Sequence, residues 1–451
     1  MIWGRNDFRV NADQVHGLNP ISSNTSDAPF GRSDLSLLSS IIPMKHTFRV
    51  FFSACLCFWM FFQTPCLLAQ VTDRNIEEIK AESLLRAQRG AYPLGGLDVQ
   101  DVQKGLSLIK TRNPDEWAQA WIQVADQYME QAKSTQDAQA ASQLYKRAWR
   151  IYYFGQWPAP TSKGKQLAYE KALSAYLQYA KSFDPPLEVV KIPFEGKEIT
   201  GYLRLPKNAR TPVPLVFAVN GLDSRKETVF ESYAEILSKG VGVFVTDGPG
   251  TGQAPVKVSP NAERMLSACI DYLTGRTEID AKRIIFSGVS FGAYWGAKMA
   301  IVEKARLLGS VAQSPPVDQT FSSAFIAKKL STPEYLFDYL PASLNVYEGV
   351  STLEQLLAFA PKMSLKAQGL LDKPTTQMLV LAGAKDTQVL LSDIQMLMSS
   401  GDRPKDFWVN PLGGHLGREV KGWTDPVIFS KIIIPWELRL LESSGWKPLT
   451  P

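Results

Sequence analysis

The chain has 451 residues, 45% of them hydrophobic and 21% charged, with a formal net charge of +5. That length holds two domains or one large decorated core, and the balance excludes a disordered or low-complexity protein. The Lys and Arg residues are spread along the sequence without a block, which leaves solvated surface as their reading and argues against a nucleic-acid partner.

Residues 1–43 show no sustained periodicity and are rich in Ser, Asn, Asp and Gly. Met44-Lys-His-Thr-Phe-Arg49 is then a basic lead into an apolar run over Val50–Phe62, followed by Pro65 and the small residue Ala69. This is the layout of a secretory signal peptide. The run is shorter than the roughly 20 residues a membrane span needs. The expectation is a start at Met44, with residues 1–43 an upstream extension, residues 44–69 a signal peptide cut near Ala69, and a periplasmic or secreted product. An N-terminal membrane anchor is the alternative. Cys55, Cys57 and Cys66 all lie in this stretch, and the context before Cys66 is a poor lipoprotein site. Only Cys269 remains beyond it, so the rest has no disulfide framework and no metal-ligand spacing. Cys269 reads as a small buried apolar residue.

Residues 71–184 carry a helical period and predict an all-helical N-terminal domain. Asp98 is a candidate cap for Val99, Val102, Leu106 and Ile109. Asn113-Pro114-Asp115-Glu116 combines a capping Asn, a first-turn Pro and acids at the positive end of a helix. Aromatic stripes at Trp117/Trp121 and Tyr176/Tyr179 read as core and need an apolar partner, which the cap described below would supply. There is no clean 34-residue tetratricopeptide repeat.

After Pro185-Pro186 the period changes. Residues 187–205 alternate as a hairpin about Glu195-Gly196. Val213–Asn220, Gly240–Asp247, the run from Arg283 into Gly288, Leu307–Ala312 and Gln377–Ala382 are apolar strands. Helices are expected near 232–238 and 261–274. Apolar strands alternating with helices imply a mostly parallel sheet covered on both faces. Residues 318–372 form a mostly helical insertion that would cap its carboxyl edge. Phe407–Asn410 is the last strand, with a helix from about Asp425, so a catalytic domain is expected over 187–451.

Gly288-Val-Ser290-Phe-Gly292, between a strand and an Ala/Gly/Met-rich helix, has the G-x-S-x-G pattern of a nucleophile elbow. A serine nucleophile needs a base and a group that orients the base. His16 and His46 fall in the segment expected to be removed, which leaves His415, in the Gly-rich stretch Pro411–Gly417. Asp386, just past a strand, is the expected acid, while Asp393 on a helix and Asp402 in a turn are expected to be solvated. The backbone N–H groups of Leu222 and Phe291 are the expected oxyanion donors. Asp223 is either a substrate contact or a turn-former or helix cap. Gly248-Pro-Gly-Thr-Gly252 reads as a crossover turn and not a dinucleotide loop, because Pro249 interrupts it and no helix follows directly. Lys298 lies too far along the elbow helix to act as a base. No cofactor and no metal is expected.

Gly221-Leu-Asp223, Asp247-Gly-Pro-Gly250, the Ser290 elbow, Asp386 and Gly413-Gly-His415 occur together behind a helical domain. As a set, from about residue 75 to the end, they resemble the FrsA-like esterase group of α/β-hydrolases, which includes dihydroxypseudooxynicotine hydrolases and fungal polyketide-shortening hydrolases. The resemblance implies an α/β-hydrolase fold and a Ser290–Asp386–His415 triad. It also implies cleavage of an ester, or of a carbon–carbon bond next to a carbonyl, in a small or medium organic substrate. A homodimer is compatible with it. Two departures stand out: Asn220 occupies a position where many relatives have Gly, and the export signal is unusual for the group. The competing readings are a prolyl-oligopeptidase-like peptidase and a helical interaction protein with a degenerate hydrolase domain.

Overall fold

The computed structural model describes residues 73–449, except 208, 332–334, 419 and 421. The expected upstream extension and signal peptide, with His16, His46, Cys55, Cys57 and Cys66, lie outside the described residues. Five helices come first: α1 (Ile76–Arg89), α2 (Val99–Leu108), α3 (Pro114–Ser134), α4 (Ala138–Gln156) and α5 (Lys163–Ala180). Their starts follow local chemistry. The Asn75 side chain accepts from the Glu78 N–H while the Glu78 carboxylate accepts from the Asn75 N–H, a reciprocal capping box. Asp98 caps α2, and Asn113 accepts from the N–H groups of Asp115 and Glu116. Trp121, Trp149, Tyr152 and Tyr176 are fully buried. Gly105 in α2 is required by packing, because a Cβ there would meet the Trp121 ring at 2.5 Å.

The sheet follows, with strands β1 (Glu188–Phe194), β2 (Lys197–Arg204), β3 (Val213–Val219), β4 (Gly242–Thr246), β5 (Ile279–Val289), β6 (Gly309–Gln313), β7 (Gln377–Gly383) and β8 (Asp406–Asn410). Their order is β1-β2-β4-β3-β5-β6-β7-β8, antiparallel only at β1/β2 and β2/β4. The hairpin turns at Glu195 and Gly196, both with positive φ. Alternation along β3 sorts the two faces. Leu215, Phe217 and Val219 pack with α7 (Arg264–Thr274) and α8 (Phe291–Val302), which lie on one side. Val216 and Ala218 join an apolar cluster that runs without a break into α3, α4 and α5 and into the C-terminal helices.

Two details differ from the sequence reading. The helix expected near 232–238 is α6 (Lys226–Ser232), broken at Tyr233 and followed by a 3₁₀ turn over Ala234–Lys239. The early start has a distant cause: the Asp247 carboxylate, at the end of β4, accepts the Lys226 N–H at 2.9 Å. The aromatic stripes also divide. Trp117 meets Phe337 of the β6–β7 segment at 4.6 Å, whereas Tyr176 stacks on Tyr202 of β2 at 5.5 Å.

Between β6 and β7 lie α9 (Ser323–Leu330), α10 (Tyr339–Val346) and α11 (Leu353–Phe359). The chain then forms α12 (Leu391–Met398), and α13 (Asp425–Ile428) runs through a π turn, Phe429–Ile433, into α14 (Ile434–Ser443). Among the described residues no helix is long and apolar enough to cross a membrane.

Candidate active site

Ser290 stands at the turn from β5 to α8 with φ 54° and ψ −121°, a conformation few non-glycine residues adopt. The flanking glycines explain how the turn closes. A Cβ on Gly288 would lie 2.0 Å from Gly292 O, and one on Gly292 would lie 2.5 Å from Asn220 O. The Ser290 N–H donates to Gln313 O at 2.8 Å, which ties the turn to the end of β6.

His415 follows β8, and its Nε2 is 2.8 Å from Ser290 Oγ. Its Nδ1 is 2.9 Å from Asp386 Oδ2 and 3.1 Å from Oδ1. The Asp386 carboxylate also accepts the N–H groups of Gln388 and Val389, at 2.8 and 3.0 Å. Burial alone would raise the Asp386 carboxyl. The electrostatic pull of the neighbouring His415 ring, its hydrogen bond and the two backbone donors outweigh that and hold it below the usual carboxylate range. An anion there fixes one imidazole tautomer, with Nδ1 protonated and Nε2 free to accept from the serine.

Sequence reasoning did not find the residues that hold the histidine loop. Gln313 Nε2 donates to Leu416 O at 2.9 Å, the Leu416 N–H donates to Ser314 Oγ at 3.1 Å, and Asn410 Nδ2 donates to Gly417 O at 2.8 Å. A Cβ on Gly383 would fall 1.9 Å from Gly414 O, so the glycine ending β7 lets this loop lie across the sheet edge. No local motif announces these contacts, since Gln313 and Leu416 are 103 positions apart.

The loop after β3 lies against the elbow, because a Cβ on Gly221 would be 3.1 Å from Ser290 Cβ. Leu222 and Phe291 border the same cavity as Ser290, and neither N–H is taken up among the described residues. Asp223 is not a helix cap: its carboxylate accepts from Tyr335 Oη at 2.7 Å, and its carbonyl accepts from Tyr153 Oη at 2.9 Å. Asp393 corrects the sequence reading. It is fully buried, not solvated, and accepts the N–H groups of Val317, Asp318, Gln319 and Thr320. It thereby moors the start of the β6–β7 segment, at a site away from His415. Asp402 is 39% exposed and accepts from Thr375 N–H. Lys298 is buried against Gln368 and Glu263, and burial lowers its pKa.

A cavity of about 840 Å³ opens over Ser290 and His415. Tyr92, Tyr153 and Trp157 of the N-terminal helical region line one side, and Phe321, Ile326 and Tyr347 of the β6–β7 segment line another. Residues 106–411 match the family described as Esterase FrsA-like. The chain belongs to the FrsA-like esterase family. Its fold is accordingly the α/β-hydrolase fold, as the motif set implied.

Similar proteins include a hydrolyase of Penicillium oxalicum, poxO, 28% identical over 47% of this chain and 55% of the fungal one. Esterase FrsA of Vibrio cholerae is 27% identical over 64% of this chain and 70% of its own. The chain thus spans about half the length of this fungal relative. The crystal structure of 2,6-dihydroxy-pseudo-oxynicotine hydrolase has the same fold, with TM-score 0.64 and 21% identity over 79% of this chain and 96% of that one.

Proposed function

We propose that this FrsA-like protein is an exported serine hydrolase that cleaves an ester, or a carbon–carbon bond next to a carbonyl, in a small or medium organic substrate. The observation that carries this reading is the unbroken hydrogen-bonded line Asp386–His415–Ser290 at the wall of a cavity large enough for such a molecule. In the proposed reaction Ser290 Oγ attacks the carbonyl carbon and its proton passes to His415 Nε2. The negative charge that develops on the carbonyl oxygen is met by the N–H groups of Leu222 and Phe291, the latter at the positive end of α8. His415 then returns the proton to the departing oxygen or carbon, which leaves an acyl group on Ser290. Water, deprotonated by the same imidazole, hydrolyses that acyl-enzyme. Asp386 keeps its charge throughout and holds Nδ1–H.

A panel of aryl esters, vinylogous diketones and peptide anilides, run with purified protein and with Ser290→Ala, tests the reading. Turnover of esters or diketones that Ser290→Ala abolishes is the expected result. Turnover confined to the anilides would make the protein a peptidase. The export half of the proposal rests on the basic-then-apolar stretch Met44–Ala69. It predicts a mature N-terminus near residue 70 on sequencing of the periplasmic or secreted product, and intact residues 1–43 on a membrane-bound protein would contradict it.

A further inference from the structure

Asn220 sits at the end of β3, 1% exposed, with its amide enclosed by the loop it precedes. Its Nδ2 lies 2.7 Å from Gly221 O, 2.7 Å from Ser224 O and 2.9 Å from Thr251 Oγ1, three acceptors that share its two hydrogens. Its Oδ1 accepts the Gly248 N–H at 2.8 Å. One side chain thus bonds both ends of the loop 221–224 and fastens it to the turn after β4.

The bond to Gly221 O has a consequence for catalysis. A trans peptide is planar, and its C=O and N–H point in opposite directions. Fixing Gly221 O on the amide therefore fixes the direction of the Leu222 N–H, the other half of the same peptide. The neighbouring donor is already committed, since the Gly221 N–H bonds Ser224 Oγ at 2.9 Å. The Leu222 N–H, by contrast, has no acceptor among the described residues, and Leu222 borders the cavity beside Ser290. We infer that Asn220 is a positioning residue for oxyanion stabilisation: through Gly221 O it aims the Leu222 N–H at the carbonyl oxygen of the substrate. The inference rests on the serine-hydrolase reading given above. Asn220 touches no substrate and acts only through the 221–222 peptide.

The test uses full-length protein, para-nitrophenyl acetate as substrate and a fluorophosphonate that phosphonylates Ser290. Wild-type turnover and labelling, both lost in Ser290→Ala, check the serine-hydrolase reading by itself. Asn220→Gly then removes the amide without burying a charge, and Asn220→Asp keeps the shape and the acceptor for Gly248 but loses the donor. An N–H aimed wrongly at the transition state costs on the order of 100-fold in rate. The expected result for Asn220→Gly is a kcat about tenfold to 100-fold lower, a KM within about threefold of wild type, and labelling slowed in parallel, with a cooperative melt. Asn220→Asp should lose at least as much, and if it fails to fold, the Gly variant decides. A folded Asn220→Gly with kcat and labelling within about threefold of wild type would overturn the inference. So would a raised KM with kcat intact, the signature of a displaced cavity wall.

Discussion

Glu437 lies in α14, fully buried, with Tyr233 Oη 3.0 Å from its Oε1 and no partner for its Oε2 among the described residues. Burial pushes its carboxyl up to about 8, against a smaller downward pull from the Tyr233 hydrogen bond. The unfolded chain ionises this group near 4.5, so between there and about pH 8 the native state holds a proton that the unfolded state has released. Stability therefore falls as pH rises through that window. Glu437→Gln should flatten the decline in melting temperature, and equal slopes for the two proteins would contradict the assignment. At the same scale, His415→Ala and Ser290→Ala should each lower kcat on the order of 10⁴-fold, with little further loss in the double variant, because the pair acts as one unit. Asp386→Asn should be comparably damaging through the wrong tautomer. What the sequence shows at this scale depends on the range of the contact. Ser290 is announced by its flanking glycines, and His415 by being the only histidine after residue 69. The role of Asn220 depends on Gly248 and Thr251, and the burial of Asp393 depends on four N–H groups more than 70 positions away. A linear reading has no access to such closures.

Elements were legible where their signals are local, as at the Asn113 cap and the Glu195-Gly196 turn. They were misplaced where a distant group sets the boundary, as Asp247 does for α6. Two elements can be tested by their anchors. Phe337 packs edge-on against Trp117 and against Trp157, at 4.6 and 5.0 Å, and so joins the β6–β7 segment to the N-terminal helices. Phe337→Ala should cost about 3–5 kcal/mol in urea unfolding, the range for an emptied aromatic site in a core. A loss under about 1 kcal/mol would show that this contact is not a tight one. Asp393→Asn replaces one acceptor oxygen with a donor amid four N–H groups. Because Thr320 and Phe321 border the cavity, KM should rise along with the loss of stability. An unchanged KM in a destabilised variant would confine Asp393 to a structural role.

Across the whole described molecule, one apolar cluster runs from α3 through α5 into one face of the sheet. Arg225 reinforces it from inside: fully buried, it donates to Gln156 Oε1 and Pro158 O on one side and to Ser224 O on the other. The helical region therefore supports the loop beside Ser290 as well as walling the cavity. Deleting residues 71–184 should give poorly soluble, inactive protein, since each newly bared apolar Å² costs about 25 cal/mol. A soluble truncated protein with full activity would make the helices an independent accessory. The alternation of apolar strands and helices disclosed the sheet, but not this continuity, which depends on residues as distant as Gln156 and Arg225.

The central claim, that Ser290 is a nucleophile activated by His415, is tested most directly by locating the adduct of a fluorophosphonate probe by peptide mass spectrometry. A single adduct on Ser290 in the wild type, none in Ser290→Ala, and labelling slowed at least about 100-fold in His415→Ala are the expected results. An adduct on another residue, or undiminished labelling of Ser290 in His415→Ala, would contradict the claim.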